Sequence, residues 1–142
     1  MPTWVACAAR VRVDRTNGHV AVEKLTIVID AGTIIHPDSA AAQVEGAALW
    51  GLSTALYEGT EFTRGQPTDT NLDSYRVRRM GETPEIDIEL IPSTETPVEL
   101  GEPATTAVAP AIGNAIFAAT GARVRHLPIR PQALLEALAR GS

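Results

Sequence analysis

Aromatic residues are scarce in this 142-residue chain: two Trp, two Tyr and two Phe make up 4% of it. A core centred on large rings is excluded, and the 44% of hydrophobic residues is chiefly Ala, Val, Leu and Ile, a composition suited to close helix packing. Cys7 is the sole cysteine, which rules out an intrachain disulfide and any cysteine cluster for zinc or an iron–sulfur centre. Lys24 is the sole lysine, and 12 basic residues face 17 acidic ones for a net charge of -5, with no run of one sign. The clustered Lys and Arg of a nucleic-acid footprint are missing. His19, His36 and His126 lie at spacings that make no familiar metal motif. The apolar run from Trp4 to Ala9 is too short for a secretory signal and lacks a basic start, and no stretch is long and apolar enough to span a membrane. A soluble chain is expected, with no compartment named. Its length suits one domain, residues 1–142, or a piece of a larger one.

Alternation of Val with charged residues marks a half-buried strand ending near Asp14, and Thr16-Asn17-Gly18 supplies positive-φ residues for a tight hairpin turn. The return strand runs from His19 to Asp30, and Asp30-Ala31-Gly32 breaks it, Asp30 being read as a turn-forming carboxylate. A helix follows from His36-Pro37-Asp38-Ser39, with Asp38 or Ser39 as its cap, to about Tyr57. Its stripe of Val44, Ala48, Leu52, Ala55 and Leu56 is widened by Ala42, Leu49 and Trp50 until little polar face remains, which predicts a buried helix. Gly46 and Gly51 inside it each cost about 1 kcal/mol of helix propensity, so close approach by another element or a ligand is expected. Residues 58–75 are turn-rich and polar, and Glu85 to Ile91 alternates as an edge strand. Pro110 is placed at the first position of a second buried helix closed by Gly121, with an irregular turn over Ala104–Ala109. Pro131 to Arg140 forms a final amphipathic helix. The expected class is α+β: a hairpin and a small mixed or antiparallel sheet packed against two buried helices.

Four segments carry chemical information together. They are Asp30-Ala31-Gly32 with Pro37; Gln43-Val44-Glu45-Gly46 with Gly51; Asp73-Ser74-Tyr75-Arg76 with Arg79-Met80 and Pro84; and Gly101-Glu102-Pro103 with Ala115 and Ala119-Thr120-Gly121. In this order and spacing, from about Val5 to Leu138, the chain resembles the C-terminal part of the molybdenum-binding large subunit of the xanthine dehydrogenase/aldehyde oxidase family, nearest the isoquinoline 1-oxidoreductase type. Two departures stand out: His36 occupies a position where the family shows Asn before proline, and Leu100 replaces a small residue before the Gly-Glu pair.

The resemblance implies a molybdenum hydroxylase, an oxidoreductase that inserts a water-derived oxygen into a C–H bond of an N-heterocycle or aldehyde. Its molybdenum is carried by a pterin cofactor, expected in the cytosine dinucleotide form, so protein groups position the cofactor rather than ligate the metal. Glu102 matches the family's general base, with Gly101 giving backbone clearance and Pro103 stiffening the exit. The plainer role for Glu102 is to complement the dipole of the helix that follows. Gln43 matches a contact to the pterin, where an amide can donate and accept; an ordinary helix-cap or interhelix hydrogen bond is its alternative. Tyr75, Arg76 and Arg79 read as solvated polar residues, and Cys7 as inert core. The implied partners are the upstream large-subunit polypeptide, a small [2Fe-2S] subunit carrying the clusters this chain lacks, and a small-molecule substrate. The chain reads as a C-terminal piece, whether a separate subunit, a truncated gene product or a cloned segment, inactive alone. The rival reading is a non-catalytic assembly module that self-associates through a helix face left apolar.

Overall fold

Two strands with inward Val, Leu and Ile residues bury one face and leave the other to charge, so the fold is built outward from a hairpin. The computed structural model describes residues 2–141. Strand β1 (Trp4–Val13) pairs antiparallel with β2 (Val20–Asp30). Of the three expected turn residues only Gly18 has a positive φ, 74°. Thr16 and Asn17 need none, because side chains close the turn: Asp14 Oδ1 accepts from Thr16 N at 2.8 Å, and Asn17 Oδ1 accepts from His19 N at 2.8 Å.

Helix α1 (Pro37–Leu56) leads to a two-residue hairpin, β3 (Phe62–Thr63) and β4 (Gln66–Pro67), then to β5 (Glu85–Leu90), helix α2 (Pro103–Thr120) and helix α3 (Pro131–Arg140). Strand β5 adds in parallel to β2, giving the order β1-β2-β5 and a mixed sheet with β5 at an edge. Leu25, Ile27 and Ile29 of β2 are wholly buried beneath α1 and α2, each contributing about 1.5–3 kcal/mol of burial. The charges lie outside: Lys24 Nζ stands 2.9 Å from Glu85 and 3.2 Å from Asp87, and Glu23 meets Arg10 and Arg12 where a bulge interrupts the β1–β2 register. Cys7 is half-buried, and desolvation pushes its thiol up to about 11, so it stays protonated and unreactive.

Three expectations need correcting. The cap of α1 is His36, whose Nδ1 accepts from Ser39 N at 3.2 Å, so the imidazole does the work expected of Asp38 or Ser39. Helix α2 starts at Pro103, not Pro110; Ala104–Ala109 are helical and Pro110 lies within. The helix tolerates it because Ala104, Val108 and Ile112 are buried on the opposite side, while Pro110 and Thr106, whose carbonyl loses its donor, are exposed to water. Burial of α1 is also one-sided: its stripe packs inward, but Ala42, Gln43, Gly46 and Trp50 face out.

Candidate functional site

The strand-breaking Asp30-Ala31-Gly32 sets the site's near wall. Asp30 Oδ1 accepts from Gly32 N at 3.1 Å, the turn-forming role expected of it. Gly32 has φ 73°, and a Cβ there would lie 2.3 Å from the Thr96 carbonyl oxygen, so only glycine permits this approach. Thr33 N donates to Glu95 O at 2.9 Å, and Val98 N donates to Ala31 O at 3.0 Å. These bonds lay the segment before α2 along the first turns of α1 and carry Gly101 and Glu102 to Gln43.

The far wall is set where α1 and α2 cross. A Cβ on Gly51 would come within 2.7 Å of the Thr105 carbonyl oxygen and 3.1 Å of Val108 Cβ, a near backbone-to-backbone contact that gives a physical reason for this glycine. Thr105 Oγ1 donates to Ala47 O at 3.0 Å. The crossing therefore ties the first turn of α2 to the middle of α1.

Between these walls lies an open concavity of about 450 Å³, lined by Ala42, Gln43, Gly46, Ala47, Trp50, Glu99, Gly101 and Glu102. All three sequence candidates meet here. A Cβ built on Gly101 would stand 3.6 Å from the Gln43 amide nitrogen. Glu102 occupies the cap position of α2 (φ -116°, ψ -20°), yet its side chain makes no capping hydrogen bond. Among the described residues neither the Glu102 carboxylate nor the Gln43 amide has a hydrogen-bond partner, and both are exposed to the concavity rather than enclosed in a dry cavity. Gly46 forms the floor: a Cβ there meets nothing within 4 Å. Leu100 packs on the core and lines a neighbouring apolar hollow of about 280 Å³ with Ile35, His36 and Gln43, so its bulk leaves the Glu102 side clear.

The Tyr75–Arg79 segment lies elsewhere and is more than solvated charge. Arg76 sits 4.5 Å above the Tyr57 ring and pairs with Glu82, Tyr75 Oη donates to Glu58 Oε2 at 3.1 Å, and Arg78 N donates to the buried Ser53 hydroxyl at 2.9 Å. It straps the loop after β4 to the end of α1. The Arg76 guanidinium holds the Glu82 carboxyl below the usual carboxylate range. Sequence reasoning did not mark Trp50, Glu99 or Thr105 as site residues. Trp50 was readable as sharing the Gln43 face of α1; nothing local marks Glu99 or Thr105.

No group of three or more His, Cys, Asp or Glu among the described residues could hold a metal ion. An amide that donates and accepts, an unbonded carboxylate, and a floor of Ala and Gly instead suit a bulky group that brings its own metal ligands. No helix among the described residues is long and apolar enough to cross a membrane.

Comparison with known proteins identifies the family. A family model described as the molybdopterin cofactor-binding domain matches residues 1–84, which include Gln43. The chain is 58% identical over 141 residues, 99% of its length, to the "Membrane-bound aldehyde dehydrogenase [pyrroloquinoline-quinone]" of Gluconacetobacter polyoxogenes, covering 18% of that protein. It is 32% identical over 127 residues, 89% of its length, to isoquinoline 1-oxidoreductase subunit beta of Brevundimonas diminuta, covering 16% of it. Among solved structures, the aldehyde oxidoreductase from Desulfovibrio gigas superposes with a TM-score of 0.84 at 26% identity, over 96% of this chain and 15% of that one. The chain thus spans a fifth or less of the length of these curated relatives. It belongs to the molybdopterin cofactor-binding domain family and forms part of a molybdenum-binding subunit of the xanthine dehydrogenase/aldehyde oxidase type.

Proposed function

We propose that this chain supplies the general base and one cofactor contact of a molybdenum hydroxylase acting on a C–H bond of an N-heterocycle or aldehyde. One observation carries the proposal: Gln43 of α1 and the sequence-distant pair Gly101 and unbonded Glu102 line a single concavity. Gln43 holds the pterin through its amide, and Gly101 leaves the backbone clearance for that approach. When bound, the cofactor supplies the two-electron oxidation and the acidity of a water-derived oxygen. A Glu102 carboxylate oxygen then accepts that proton, which requires a side chain not committed to capping its own helix. Ala42 and Gly46 keep the floor low.

The remaining length of the relatives is the source of the other cofactor contacts, so the upstream large-subunit polypeptide and a small [2Fe-2S] subunit are the proposed partners. A cytosine dinucleotide is the proposed form of the pterin. Taken alone, the chain is expected to retain little cofactor and to turn nothing over. The rival reading, a non-catalytic assembly module, draws on exposed apolar side chains such as Ile35 and Trp50 beside the site.

The experiment is to express the complete subunit with its partners, then assay molybdenum and pyrroloquinoline quinone, the cofactor in one relative's name. We expect molybdenum with the pterin. Glu102→Gln should lower kcat by about 10²–10⁴-fold at unchanged molybdenum content. Wild-type turnover in that variant would remove the base and leave the assembly reading.

A further inference from the structure

We infer that Thr105 is a positioning residue: its hydroxyl, held on the Ala47 carbonyl, sets where the Glu102 carboxylate stands relative to Gln43. The inference rests on the reading of Glu102 as the base. No side-chain hydrogen bond anchors Glu102 among the described residues, so its place is set by the backbone of the first turn of α2. That turn is held from Thr105, whose N–H donates to Glu102 O at 2.9 Å.

The hydroxyl of Thr105 is unlike those of the other threonines on these helices. Thr54 donates to Gly51 O, Thr106 to Pro103 O and Thr120 to Ile116 O, each bonding back within its own helix as threonines commonly do. Thr105 instead reaches across to Ala47 of α1, 58 positions away, in a half-buried bond. Ala47 lies one helical turn beyond Gln43 and lines the same concavity. Within α1 its carbonyl already serves the helical ladder, so the second bond fills a spare lone pair rather than rescuing a buried acceptor. The bond's consequence is therefore registration. On the other side of the same residue, the Thr105 carbonyl abuts Gly51, so α2 cannot slide toward α1. A short path, Glu102 to Thr105 to Ala47 to Gln43, fixes the two polar groups against each other.

Thr105→Val keeps the shape and β-branch but removes the donor; Thr105→Ser keeps the donor. In the complete, molybdenum-loaded enzyme, Thr105→Val should lower kcat by about 10- to 100-fold, the scale of a small misplacement of a reacting group. KM and molybdenum content should stay near wild type, and Thr105→Ser should restore most of the loss. In the cofactor-free complete subunit, amide hydrogen exchange should quicken in the segment from Glu99 to Val108 of Thr105→Val and nowhere else. Wild-type kcat in Thr105→Val, failure of Thr105→Ser to rescue, or exchange raised evenly along the chain would each overturn the inference, the last by showing a merely structural role. Glu102→Gln is run alongside. If it keeps wild-type turnover, the base falls and the positioning role with it. If it is inactive while Thr105→Val is fully active, the positioning role alone falls.

Discussion

Gly46 and Gly51 lie on the same helix and serve opposite ends. At Gly51 a side chain would strike the Thr105 backbone at 2.7 Å; at Gly46 it would meet nothing within 4 Å. The first lets α1 and α2 touch, and the second keeps a floor low where they part. A packed crossing beside an open concavity is what a site for a large group needs: rigidity next to clearance. Both glycines carry the same helix-propensity cost, so propensity cannot tell them apart. Only the neighbour, or its absence, does.

The largest separation between the two regions should appear on substitution by alanine. Gly51→Ala places a methyl against backbone that cannot move cheaply; overpacking of about 1–3 kcal/mol outweighs the roughly 1 kcal/mol of propensity gained. A lower urea midpoint is expected, and a rise would break the comparison. Gly46→Ala should instead raise stability by up to about 1 kcal/mol in the same titration. In the complete subunit the same methyl should reduce retained molybdenum, because it stands in the proposed cofactor clearance. Unchanged molybdenum content would confine Gly46 to a surface role.

The smallest effect belongs to the strap between the loop after β4 and α1. The Glu82 carboxyl titrates below its ordinary value in the fold because the Arg76 hydrogen bond favours its charged form. Its contribution is thus fully present above the unfolded pKa, about 4.3, and is lost as pH falls through the lower folded value. Glu82→Gln should therefore lower the thermal midpoint slightly at pH 7, with the gap to wild type closing below about pH 4. A gap that persists in acid would assign the loss to packing rather than charge. The concavity is lined by none of the strap's residues, so molybdenum content should not change.

Much of the fold was readable locally. Alternating Val residues around Asn17-Gly18 specify the hairpin, the Glu85–Leu90 alternation specifies the edge strand, and Gly121, with φ 76°, ends α2 where expected. Pro110 misled because its usual penalty assumes a carbonyl left without a partner in the interior. Here the affected turn faces water while Val108 and Ile112 hold the helix from the other side. The cap of α1 was hidden for a similar reason: imidazole is an uncommon cap, and only geometry shows Nδ1 reaching Ser39 N.

By itself the chain of residues determined the element types and the inward stripes, because periodicity and turn chemistry act over a few positions, while Gln43, Gly101 and Glu102 were marked as candidates by the resemblance of the ordered segments to the family. Only the tertiary structure decided that those three share a concavity, that Glu102 leaves its helix uncapped, and that Thr105 bonds across to Ala47. Those facts depend on contacts between distant segments, the Gly32–Thr96 approach and the Gly51–Thr105 crossing, which no local pattern encodes.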